Sequence, residues 1–68
     1  MKIFSQRLKE LRKEKGLSQA ELAKTLNIRQ QSYARYENDT SEPCYEMLVE
    51  ISRFFDVSAD FLLGVEEF

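Results

Sequence analysis

The 68-residue sequence predicts an all-α fold, a compact bundle of five short helices. Three observations carry that prediction. Apolar residues recur at helical spacing along the chain, as in Phe4, Leu8 and Leu11 or Leu48, Ile51 and Phe55. Ser18 and Ser58 stand where helices would begin, since a serine hydroxyl can accept a bond from a backbone N–H that a helix start leaves unpaired. Gly16, Asn27 and Gly64 stand where helices would end, and these residue types enter the left-handed region at the least cost.

In chain order, Ser5 to Lys15 reads as an amphipathic first helix, with Lys and Arg between its apolar positions and Gly16 as its stop. Leu17 links it to a second helix that starts at Gln19, where Ser18 and Glu21 have the spacing of a capping box. Leu22, Ala23 and Leu26 form its apolar face, while Glu21, Lys24 and Thr25 point to water. After about two turns Asn27 bends the chain and Ile28 plugs the bend. The third helix, Arg29 to about Asn38, turns Tyr33 and Tyr36 inward and Gln30, Gln31 and Arg35 outward. Residues 38–43 have loop composition. A fourth helix runs from Tyr45 to Phe55, with Cys44 in the N-cap position. Ser58 caps a short last helix, Ala59 to Leu63, stopped by Gly64.

Composition bounds the function. This length makes one domain, residues 1–68, and a domain so small buries only about 60% of the surface that its unfolded chain exposes. No apolar run approaches the ~20 residues needed to span a membrane, and no signal peptide is evident. One cysteine cannot form an internal disulfide, and without histidine there is no ligand set for a structural zinc. These features suit a cytoplasmic protein with no metal and no cofactor. No histidine is present to activate Cys44, and the carboxylates lie at solvent-facing spacings, so no nucleophile or general base is arranged for catalysis. The net charge of −2 is unevenly spread: residues 1–36 hold nine basic groups against three acidic, and residues 37–68 one against nine. Such a dipolar chain can present its basic side to a polyanion and so orient the encounter.

Ser18-Gln19-x-x-Leu22-Ala23, followed one bend later by Ile28-x-Gln30-x-Ser32-Tyr33-x-x-Tyr36-Glu37, resembles the helix-turn-helix of phage repressor and Cro domains, a class that includes the xenobiotic-response-element-like regulators. The resemblance covers roughly residues 3–64 and implies a lambda-repressor-like fold whose second and third helices form the motif. It further implies that Gln30, Gln31 and Arg35 read base edges in the major groove. Gln19, Ser18, Arg29, Ser32 and Asn38 would serve as phosphate or supporting contacts, and Arg12 would pair with Glu37. Residue chemistry agrees. Glutamine can pair in bidentate fashion with adenine N6 and N7, and arginine with guanine O6 and N7. Gln19 and Gln30 open helices, where unpaired N–H groups favour phosphate oxygens. Asp39 and Glu42 depart from the family pattern, because both would meet phosphates unfavourably. Arg7 and Lys9 are at most minor phosphate contacts.

The expected function is that of a sequence-specific regulator, a repressor that binds double-stranded DNA at an inverted repeat. An interaction module on the same fold, antitoxin-like or adaptor, is the alternative, supported by the acidic second half. A homodimer is expected through Phe61, Leu63, Val65 and Phe68. Phe61, Leu62 and Leu63 span about 200° of helix, more than one core-facing stripe can cover, so some of that apolar surface should face outward.

Overall fold

A computed structural model describes residues 2–65. Its elements are α1 (Lys2–Glu14), α2 (Gln19–Thr25), α3 (Gln30–Glu37), α4 (Tyr45–Phe55) and α5 (Ala59–Leu63), with no strand among the described residues. α1 packs on α3 and α5, α2 packs on α3, and α4 packs on α5. The core at their junction holds Phe4 and Leu8 of α1, Leu22 and Ala23 of α2, Leu26 just beyond α2, Tyr33 of α3, Ile51 and Phe55 of α4, and Leu62 of α5. Ile28 packs against this core from the bend, as its position between the two helices suggested.

All five helices end in the same hydrogen-bonded turn. In each, the residue after the last turn has a positive φ and donates its N–H back three residues, while the next N–H reaches back five. The first pair is Gly16 to Lys13 (3.0 Å) and Leu17 to Arg12 (3.2 Å). Asn27, Asp39, Asp56 and Gly64 close α2, α3, α4 and α5 in the same way. This pairing satisfies carbonyls that a helix end otherwise leaves unbonded, and it needs a left-handed residue each time. Gly16 (φ 71°) adopts it freely, whereas Asn27 (59°), Asp39 (61°) and Asp56 (54°) do so at some cost.

α1 starts earlier than the sequence suggested. Ser5 is an interior residue of the helix, buried, and its hydroxyl donates to the Tyr36 carbonyl at 2.7 Å, tying α1 to the end of α3. Burial of Phe4 anchors the extra first turn. α3 is shorter than expected by one residue at each end, Arg29 and Asn38 being its flanking caps. Ser18 and Glu21 form the expected capping box, with the Glu21 N–H on Ser18 Oγ at 3.0 Å and the Ser18 N–H on the Glu21 carboxylate at 2.8 Å. The backbone bond from Ser18 comes first among the causes that hold the Glu21 carboxyl below its ordinary pKa. Cys44 stands at the start of α4 without a side-chain cap bond.

Candidate nucleic-acid interface

α3 presents Gln30, Gln31 and Arg35 on the surface, all three exposed, with Arg29 exposed at its start and Asn38 exposed at its end. Ser32 is half-buried on the flank of this face. The opposite face carries Tyr33, fully buried, and half-buried Tyr36, whose rings meet edge to face with centroids 6.3 Å apart. The helix is therefore split lengthwise into a packed side and a polar side rich in amides.

One carboxylate fixes how this helix sits. Glu37 Oε2 accepts from Arg12 Nε at 2.6 Å and from the Tyr33 hydroxyl, and Oε1 accepts from Arg12 Nη2 at 3.1 Å and Gln19 Nε2 at 3.0 Å. Arg12 Nη1 donates to the Leu17 carbonyl at 2.8 Å. Every oxygen of the carboxylate takes two donors, and α1, the α1–α2 link, α2 and α3 all meet there. The Glu37 side chain is 2% exposed and that of Arg12 11%, so the pair lies out of water. Burial pushes the Glu37 carboxyl up, but the hydrogen bonds from Arg12, Tyr33 and Gln19 outweigh it and hold the pKa below the ordinary range. The hydrogen bond to Glu37 raises Arg12 above its usual value. Burial and then the bond to Glu37 raise the Tyr33 phenol, which keeps its proton and acts as a donor.

Two members of this cluster were not assigned to it from sequence. Gln19, read as a phosphate or supporting contact, spends an amide N–H on Glu37 and so ties the start of α2 to the end of α3. Tyr33 was read as core alone. Its fourth-neighbour spacing to Glu37 on one helix face was the signal that could have linked them. Arg7 also has a different place from the minor phosphate contact considered for it. Its guanidinium lies 4.3 Å from the Phe61 ring centre and donates to the Phe61 carbonyl, which fastens α5 to α1.

Of the residues expected at a dimer contact, Phe61 thus lies under Arg7, and Leu63 is half-buried beside Phe4, Tyr45 and Leu48. Val65 is 73% exposed, and Phe68 lies outside the described residues. Ile3, Tyr45 and Val49 are further exposed apolar residues. Among the described residues no group of carboxylates and thiols is arranged to hold a metal, and no helix is long and apolar enough to cross a membrane.

Two short helices joined by a left-handed turn at Asn27, the second offering a polar face braced from behind, define a helix-turn-helix domain. The chain belongs to the helix-turn-helix family: the family model described as "Helix-turn-helix" matches residues 8–62. The chain is 44% identical over 64 residues to the uncharacterized HTH-type transcriptional regulator YqaE of Bacillus subtilis, covering 94% of this chain and 55% of that protein. It is 38% identical over 64 residues to the HTH-type transcriptional activator BcrR of Enterococcus faecalis, covering 94% of this chain and 31% of the relative. It is 31% identical over 55 residues to the cryptic phage CTXphi transcriptional repressor RstR of Vibrio cholerae, covering 81% of this chain and 50% of the relative. The chain spans about half the length of YqaE and RstR and a third of BcrR.

Proposed function

We propose that this chain is the DNA-binding domain of a transcriptional regulator, a cytoplasmic repressor that binds an inverted repeat in double-stranded DNA as a homodimer. The observation that supports this most is the exposed polar face of α3, held against three other parts of the chain by the Glu37 cluster. A reading helix must keep its side chains in register with base edges, and a buried multi-donor brace does that better than packing alone. Gln30 and Gln31 reach adenine N6 and N7, and Arg35 takes guanine O6 and N7. Arg29, Ser18, Ser32 and Asn38 flank the face as phosphate or supporting contacts, and Gln19 supports it through Glu37. No step of this reading uses a cofactor, a metal or a catalytic group.

Two-fold pairing through the surface around Leu63 and Val65 fits this reading, since two α3 helices about 34 Å apart would meet successive major grooves on one side of the duplex. The Vibrio cholerae relative, a transcriptional repressor, favours repression, and the Enterococcus faecalis relative, a transcriptional activator, favours activation. Selection of bound duplexes from a random pool tests the central reading, with enrichment of an inverted repeat as the expected result. Retention of no duplex, or retention insensitive to salt, returns the chain to the protein-interaction reading. Transcription from a reporter carrying the selected site, with and without the chain, then separates repression from activation.

A further inference from the structure

We propose that a hollow beside the start of α4 docks a short cationic segment of a partner protein, burying one leucine- or phenylalanine-sized side chain of that segment. Phe4 of α1, Pro43 of the loop, Tyr45 and Leu48 of α4 and Leu63 of α5 wall the hollow, and Glu42 completes its lining. Its volume is about 150 Å³, which in an apolar cavity is room for a benzene-sized group. None of these residues belongs to α2 or α3, so the site is separate from the helix-turn-helix face and does not depend on the DNA-binding reading.

The surface around the hollow is apolar and open. Tyr45 is 85% exposed, Val49 is exposed one turn further along the same side of α4, and Ile3 and Val65 are exposed next to the ends of α1 and α5. Ile3 lies over Gly64, where an added Cβ would stand 3.0 Å from two of its side-chain carbons, so α1 and α5 close this end of the patch together. Exposed apolar groups gathered around a concave site with a polar rim mark a docking surface, whereas singly scattered ones do not. Charge decides the occupant. Pro43 and Tyr45 also border a second depression that holds Glu42 and Glu46, and among the described residues no lysine or arginine lines either one. Both glutamates are exposed. Such a rim repels a polyanion and favours a segment that carries Lys or Arg beside its apolar anchor. A second copy seated here by its equivalent face would set Glu42 and Glu46 against their own counterparts. The end of this chain, Glu66-Glu67-Phe68, would bring two more carboxylates to the rim. A basic segment of another protein matches the site better than either.

Selection by the full chain from random short peptides displayed on phage, followed by fluorescence anisotropy of a synthetic peptide from the enriched set, tests this. Enriched peptides are expected to pair leucine or phenylalanine with lysine or arginine. Replacing the apolar anchor by alanine is expected to weaken binding about tenfold or more, the loss from uncovering one buried side chain. Tyr45→Ser, at an exposed wall of the hollow, is expected to weaken binding without lowering the melting temperature. Glu46→Lys is expected to weaken the cationic peptide and to strengthen one in which glutamate replaces lysine, a reversal that a general loss of structure does not produce. Enrichment of no peptide, of acidic peptides, or of peptides that bind Tyr45→Ser and Glu46→Lys as they bind wild type overturns the proposal. The pairing proposed around Leu63 and Val65 borders the hollow, so a wild-type dimer that Tyr45→Ser makes monomeric assigns it to a second copy. Peptide affinity that rises in Phe68→Ser assigns it to the end of the same chain. Either result also overturns the proposal, and each leaves the DNA-binding reading standing.

Discussion

Replacing Glu37 by alanine removes the acceptor of four hydrogen bonds at once, and the cost follows from what is left behind. Arg12 keeps its charge with its side chain 11% exposed and only the Leu17 carbonyl for a partner. Breaking a buried ion pair from one side costs about 3–5 kcal/mol, and the stranded Tyr33 hydroxyl, in a residue with no exposed surface, adds to it within the same cluster. A domain of this size has roughly 3–10 kcal/mol of stability in total, at about 0.05–0.15 kcal/mol per residue. Glu37→Ala is therefore expected to take the chain near or past its unfolding midpoint at room temperature. Glu37→Gln keeps the volume, loses the charge-assisted bonds and is expected to cost about 1.5–3 kcal/mol. At about 4–8 °C per kcal/mol, that lowers the melting temperature by roughly 6–24 °C. Arg12→Met/Glu37→Leu, which strands no charge, is expected to cost clearly less than the sum of the two single changes, with a coupling of about 0.5–3 kcal/mol. Urea unfolding followed by helical circular dichroism measures all of these. Single variants within about 0.5 kcal/mol of wild type, or a double variant equal to the sum, would refute the argument that this pair is buried and coupled. Acid provides a second check. A carboxyl whose folded pKa is depressed contributes stability that is complete above its unfolded value, here 4.5, and is lost as the pH falls through the folded value. The wild type should accordingly lose its advantage over Glu37→Gln below that point and hold it above.

Three further outcomes follow from single positions. Gln30→Ala is expected to cost about 1–3 kcal/mol on the selected site and to relax preference at one base pair, and equal loss on random DNA would remove it from base reading. Asp56→Gly is expected to stabilise the fold by about 0.5–1 kcal/mol, since a left-handed residue (φ 54°) at the end of α4 gains by losing its Cβ and its charge at the negative helix end; a lower melting temperature would contradict that. Val65→Glu changes an exposed position, so sedimentation at micromolar concentration reports association and not folding. A wild-type dimer that becomes monomeric in this variant supports the proposed contact, an unaffected dimer moves it elsewhere, and a monomeric wild type leaves the pairing to DNA alone.

The helices themselves were legible because their signals are local. Ser18 with Glu21, the left-handed residues Gly16, Asn27 and Gly64, and apolar groups three and four apart act within one or two turns of chain, whatever the rest of the fold does. The polar face of α3 was legible for the same reason, since side chains on a helix are ordered by rotation alone. Asp39 and Asp56 went unread as helix stops because aspartate at a left-handed position is unusual unless the turn demands it. What sequence spacing could not decide is where helix crossings bring distant atoms together. The tertiary packing places Arg12, Gln19, Tyr33 and Glu37 within hydrogen-bond reach from three helices. It carries Ser5 from a helix start into the core and moves Arg7 onto Phe61 and away from the solvated face. It also brings Lys24 and Arg29 to the rim of one groove across the bend. These contacts depend on the angle and distance between helices, set by how Phe4, Leu8, Leu22, Tyr33, Ile51 and Leu62 fill one shared core, and no local stretch of chain encodes that geometry.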